Sequence, residues 1–239
     1  MRAGALLAIA LLWPMCALAQ APDPDALYRE RTDMVRAKQA AALWEARFTA
    51  APSDFDSSCK FARAAYWLGG HDEMAARRAW LDRGVTAGRA ASELRPDRPE
   101  GFFWMAANMG ALAESYGLRQ GLRYRGAIKE ALETVLRMAP AFQKGSADRA
   151  LGRWYLKVPA LFGGSKTKSE QHLRMSLTYD PDSTASHFFL AETLEEMDRR
   201  VDAVAEFRRV LASPIDPEWE PEDREFKALA EARLARLQR

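Results

Sequence analysis

Residues 182–214 read DSTASHFFLAETLEEMDRRVDAVAEFRRVLASP. Phe188, Leu190, Ala191 and Leu194 recur at helical spacing, a polar stretch follows, and Ala203, Phe207, Val210 and Leu211 recur at the same period before Pro214. This is a pair of short amphipathic helices, each too short to be stable alone in water. The same order appears twice upstream. Leu151-Gly152-Arg153-Trp154-Tyr155 precedes Leu173, Ser176, Leu177 and Pro181, and Trp104 with Ala107 precedes Leu132, Val135, Leu136 and Pro140. Pro140, Pro181 and Pro214 stand 41 and 33 residues apart, so the last unit has repeat length and the one before it carries an insert. Self-similarity at this period means stacked helix pairs, each burying its apolar face against the next.

Extended over the chain, the periodicity predicts about ten helices and no strand, an all-α solenoid of antiparallel helix pairs joined by short turns. The predicted segments are Pro24 to Ala50, Asp54 to Leu68, Asp72 to Leu94, Pro99 to Tyr116, Gly121 to Met138, Lys144 to Val158, Thr167 to Tyr179, Asp182 to Asp198, Val201 to Ala212 and Pro221 to Leu237. Local signals agree: Thr167 with Glu170 reads as a capping box, Asp182 as a cap, and Pro99 and Pro221 suit a first helical turn. Gly101 to Ala113 is apolar around most of its circumference, which makes it central and requires a hydrogen-bond partner for Asn108.

The chain has 239 residues, 35 Lys+Arg, 33 Asp+Glu and 48% hydrophobic residues. A net charge of +2 in mixed-sign clusters carries no concentrated basic field, which argues against nucleic acid as a dedicated partner. Arg2, the apolar run Ala3 to Met15 and Ala17-Leu18-Ala19 read as a secretory signal peptide, residues 1–19, cleaved before Gln20. Residues 20–239 are then expected to form a single exported, periplasmic helical-repeat domain with no transmembrane span. Cys16 follows the bulky or restricted Trp13-Pro14-Met15, so a lipoprotein is not expected. Cleavage leaves Cys59 alone, which rules out an intramolecular disulfide; its spacing with Ala62 and Tyr66 marks it as a small buried hydrophobe.

Catalytic signatures are weak. His71, His172 and His187 lack zinc-type spacing to one another or to Cys59, and no nucleophile elbow occurs. Glu195-Glu196 and the pair Glu220 and Glu222 fall at helix ends or in a turn. Phe162-Gly163-Gly164-Ser165-Lys166-Thr167 looks superficially like a phosphate loop, but it lacks a preceding strand and the first glycine, and reads as a structural turn. The expectation is a non-enzyme with no cofactor and no metal.

Ala203, Phe207 and Pro214 resemble the second helix of the tetratricopeptide repeat (TPR), with Val210 where a small residue is usual. In that geometry the first helix of each pair lines the concave surface. Phe102, Met105 and Met109 there form an apolar stripe, Arg149, Arg153 and Lys157 a cationic one, and Phe188 with Glu192 follows in the next unit. Together they suit a small apolar or carboxylated ligand, because a guanidinium grips a carboxylate in two-pronged fashion.

A narrower resemblance rests on Ala147-Asp148-Arg149-Ala150-Leu151-Gly152-Arg153-Trp154-Tyr155, then Val158-Pro159-Ala160-Leu161-Phe162-Gly163-Gly164-Ser165 and a helix with His172. These look like the T-component family of TRAP transporters, over roughly Asp72 to Arg239. The resemblance implies an exported adaptor that meets a periplasmic solute-binding protein, with a pore or cavity through the repeat domain. The alternative is a generic periplasmic TPR scaffold that binds peptides or proteins in envelope assembly.

Overall fold

A computed structural model describes residues 22–237; the expected signal segment, 1–19, lies outside the described residues. The first helices are set by aspartates. Asp23 accepts from the Asp25 N–H and starts α1 (Pro24–Arg29), and Asp33 accepts from the Val35 and Arg36 N–H groups and starts α2 (Met34–Ala50). A side-chain acceptor satisfies backbone donors that have no partner in a helix's first turn. Asp33 therefore divides what periodicity reads as one helix from Pro24 to Ala50.

The chain continues through α3 (Phe55–His71), α4 (Met74–Leu94), α5 (Pro99–Ser115), α6 (Leu118–Met138), α7 (Ser146–Lys157), α8 (Lys166–Tyr179), α9 (Thr184–Glu196), α10 (Arg200–Ala212) and α11 (Glu220–Leu237). No strand occurs among the described residues. Successive helices pack on one another. In addition α3 touches α5, α5 touches α7, α7 touches α9 and α9 touches α11. The odd-numbered helices thus form an inner layer, and α4, α6, α8 and α10 an outer one. Ala203, Phe207 and Val210 of α10 are fully buried, so a valine serves where a smaller residue is usual.

Helix α5 is enclosed by α3, α4, α6 and α7, the central position that its apolar circumference demands. Asn108, fully buried in it, donates from Nδ2 to the Ala62 carbonyl of α3 at 2.9 Å and to the Trp104 carbonyl at 2.8 Å. Cys59 is buried on α3, and burial, aided by Glu100 and Asp56, pushes its thiol up to about 12. A thiol held neutral in this way is a packing residue.

Between α7 and α8 the insert makes a short 3₁₀ turn at Ala160–Phe162 and then turns at Gly163, φ 102°. The Ser165 N–H donates to the Tyr155 carbonyl at 2.8 Å, which holds Ser165 in extended backbone. Ser165 therefore caps α8, its Oγ accepting from the Lys168 N–H, and Thr167 falls inside the first turn. Glu170 does not close a capping box; it pairs with Arg174 and Arg199. The cap of α9 is likewise Ser183, one residue beyond Asp182, with Oγ accepting from the Ser186 N–H. A Cβ on Gly164 would lie 1.7 Å from the Val158 carbonyl oxygen, a backbone atom that cannot swing aside. Gly164→Ala is expected to destabilise the fold by more than about 2 kcal/mol, read from urea unfolding, because the turn has no room to relax. Wild-type stability in this variant would refute the structural account of the paired glycines.

A candidate binding cavity inside the helical ring

The superhelix turns back until its last elements meet its first. Arg31, just after α1, is buried; its Nε donates to Glu222 of α11 at 3.1 Å, its Nη2 forms an ion pair with the same carboxylate, and Nη2 also donates to the Glu218 carbonyl at 3.1 Å. The Tyr28 and Trp67 rings flank the guanidinium, each 5.2 Å from it. Arg63 of α3 stacks 4.7 Å over Trp219 and pairs with Glu218 at 3.3 Å. His71, at the end of α3, meets Glu225 at 2.7 Å and stacks on Trp67. The strap between α10 and α11 is tied down as well, by Lys144 on Asp216 at 2.8 Å.

This closure surrounds a cavity of about 1270 Å³. Trp104, Ala107 and Ala111 of α5, Leu132 of α6, Phe188 and Phe189 of α9, Trp219 of the strap and Phe226 of α11 supply its apolar wall. Of the residues singled out from sequence, Arg149, Arg153, Lys157, Phe188 and Glu192 line it together, contributed by α7 and α9. Phe102, Met105 and Met109 do not. Met109 is buried in the core, and Phe102 and Met105 pack against that core, with the Met105 backbone lying under Gly88 of α4. Helix α5 turns Trp104 and small residues to the cavity instead. Alanines carry no pattern that marks them as a wall, and the periodic stripe of this helix, apolar all round, faces the core.

The cationic stripe also divides. Arg153 donates from Nε and Nη2 to Glu114, each at 2.6 Å, and from Nη1 to Glu192 at 3.0 Å, while its plane lies 4.5 Å from Phe189. Burial opposes its charge, but Glu114 and Glu192 outweigh that and raise its pKa. Glu192 is shared with Arg233 at 2.9 Å. Arg149, one turn away, makes no side-chain hydrogen bond or ion pair with another described residue. Burial lowers its pKa, and the attraction of Asp180, Tyr66 and Asp223 only partly compensates. Sequence reasoning did not find Tyr66, Arg125, Trp219, Phe226 or Arg233, which line the same space. Trp219 alone had a usable signal, an aromatic in a proline-bounded loop.

The histidines are structural. His172 meets Asp148 at 2.7 Å and stacks on Tyr155; His187 sits between Glu206 at 2.6 Å and the Pro181 carbonyl at 2.8 Å. Among the described residues no group of three or more His, Cys, Asp or Glu could hold a metal ion, and no helix is long and apolar enough to cross a membrane.

Stacked helix pairs wound around a cavity define a TPR-like helical-repeat protein. Its fold is similar to the crystal structure of a thermophilic TPR protein from Thermus thermophilus, with a TM-score of 0.67 at 20% identity, covering 89% of this chain and 97% of that one. No curated protein matches the chain at a significant level. The model of the TRAP transporter T-component family matches residues 82–239, and the chain belongs to that family. The matched span runs from the middle of α4 to the C-terminus and contains most of the cavity wall.

His71 gives the closure a pH signature. Burial disfavours its protonation, but the hydrogen bonds to the Glu225 carboxylate and Trp67 carbonyl, with the attraction of Glu225 and Glu222, raise its pKa. A group whose pKa rises on folding contributes stability that is full below its unfolded value, about 6.5, and is lost as pH climbs through the folded value. His71→Gln should therefore lower the melting temperature most at about pH 5.5 and progressively less toward pH 8.5. A pH-independent difference would show that the imidazole contributes packing alone.

Proposed function

We propose that this chain is an exported, non-catalytic accessory of a TRAP-type solute uptake system and works by contacting a periplasmic solute-binding protein. The match of the T-component family over residues 82–239 is the observation that carries this reading. The signal-like residues 1–19 support export. Three of the cavity's carboxylates support a non-catalytic role, because guanidinium groups engage them: Glu114 and Glu192 with Arg153, and Glu222 with Arg31. A general base needs a carboxylate within reach of substrate and not already consumed by a guanidinium.

The insert between α7 and α8 supports a protein partner. Leu161 at its tip is 89% exposed, and Phe162 beside it is partly exposed. Val158 and Pro159, at the base of the same loop, line the cavity. Aromatic and aliphatic anchors set among polar residues are the usual centre of a protein contact. A partner seated on this loop would lie at the cavity's edge, where a solute could pass between the two proteins.

The test is native mass spectrometry of the protein purified from its own envelope, wild type beside Leu161→Asp. The expected result is a complex with a solute-binding subunit of a TRAP system, reduced at least about tenfold in the variant, as loss of an interface anchor implies. Recovery of envelope-assembly factors instead, or of the bare chain, would contradict the transport reading.

A further inference from the structure

Folding gathers charge that composition hides. The chain is almost neutral, yet residues 115–129 hold Arg119, Arg123, Arg125 and Lys129 without one Asp or Glu, and residues 154–169 hold Lys157, Lys166 and Lys168, again without one. The two stretches meet at the insert between α7 and α8. Trp154 Nε1 donates to the Arg125 carbonyl at 3.0 Å, and the Arg125 guanidinium lies 5.6 Å from the centre of the Phe162 ring. Lys129 and Lys168 stand 5.9 and 5.4 Å from the centre of the Tyr155 ring. Carboxylates of the described residues reach ion-pair distance of two of these cations, Lys129 with Glu133 and Lys166 with Glu196, which leaves Arg125, Lys157 and Lys168 unpaired. The acids bordering the insert are held by other groups: Glu170 by Arg174, Glu192 by Arg153 and Arg233, and Glu195 by Arg233 and Arg236. Leu161 projects from the middle of this basic surface at 89% exposure, more than any other large hydrophobic side chain among the described residues, with Phe162 beside it. The tip is preformed. The Phe162 and Gly164 N–H groups donate to the Pro159 carbonyl at 2.8 and 3.2 Å, and the Gly163 N–H to the Ala160 carbonyl at 3.1 Å. Arg125, Lys157, Val158 and Pro159 also line the cavity, so the knob stands on the cavity's rim.

An apolar knob ringed by unpaired cations fits a surface that is its inverse in shape and in charge. We infer that the face of the solute-binding protein that meets this chain is acidic, with an apolar socket for Leu161 and Phe162 and carboxylates opposite Arg125, Lys157 and Lys168. The inference rests on the transport reading above and adds the chemistry of the contact. Charge and apolar tip then do different work. The cations steer the encounter and fix its register, so they act on the rate of association. The tip fills its socket and loses little conformational freedom on docking, so it acts on the rate of dissociation. A lipid surface is the poorer occupant: a protein lying in the interface offers a broad apolar helix face, whereas the insert offers two side chains on a fixed turn.

The experiment is surface plasmon resonance of the exported chain over the TRAP solute-binding protein purified from the same envelope. Raising NaCl from about 0.1 to about 1 M shortens the screening length from about 10 to about 3 Å, and association is expected to slow about tenfold with little change in dissociation. The double variant Lys157→Gln/Lys168→Glu should associate several-fold more slowly than wild type in about 0.1 M NaCl and match it in about 1 M. Leu161→Ala should instead dissociate several-fold faster at either salt concentration. Both lysines are exposed and outside any ion pair with a described residue, so the double variant should melt with the wild type, which separates a binding effect from a folding one. A complex whose rates ignore both salt and the lysine substitutions would overturn this inference and leave the transport reading standing. No binding of the solute-binding protein at any salt concentration would overturn both. Binding to vesicles of phosphatidylglycerol and phosphatidylethanolamine that the double variant loses, with the protein complex unaffected by it, would assign the basic surface to lipid and overturn the inference as well.

Discussion

A guanidinium removed from water requires a counter-charge, and Arg31 finds its own 191 residues further along the chain, in Glu222. The rest of the arrangement follows from that requirement. A solenoid of helix pairs is quasi-one-dimensional, each unit touching only its neighbours, and nothing in the repeat itself brings the two ends together. Here α1 and α3 are tied to α11 and to the strap before it by Arg31, Arg63 and His71, with Trp219 packed into the same core as Tyr28. The concave face of an open superhelix becomes the wall of a cavity. Breaking one partner of such a pair leaves the other buried and uncompensated, which typically costs about 3–5 kcal/mol.

The cavity shows how a single fold separates structural charge from chemically available charge. Arg153 and Arg149 are one turn apart on α7 and look equivalent on a helical wheel. Arg153 is consumed by two carboxylates from α5 and α9, so it ties three inner helices together across the cavity. Arg149 faces the same space without such a partner. The first residue helps the ring keep its shape.

Periodicity was enough to read the helix pairs, the inner position of α5, α7 and α9, and the burial of Ala203, Phe207 and Cys59, because each leaves a local pattern of apolar residues. The lining of the candidate cavity was half legible. Arg149, Arg153, Lys157, Phe188 and Glu192 sit at regular spacing on amphipathic helices and do meet at one cavity. The Phe102, Met105 and Met109 stripe misled because α5 is apolar on every side, and its cavity face is the one with the small residues. Caps slipped by one or two residues where a neighbouring turn set the backbone, as the bond from Ser165 to Tyr155 does for α8. The closure left no trace in any window of sequence, since an ion pair between Arg31 and Glu222 has no local period.

The central claim is that this closure holds the cavity together, and hydrogen exchange read by mass spectrometry in Arg31→Met tests it most directly. Methionine keeps the apolar contact with Tyr28 and Trp67 and removes the charge together with the hydrogen bonds to Glu222 and the Glu218 carbonyl. The account predicts faster exchange in α11 and in the strap at residues 213–219, with α5 to α8 as protected as in the wild type. Unchanged protection of α11, or faster exchange confined to α1, would contradict it.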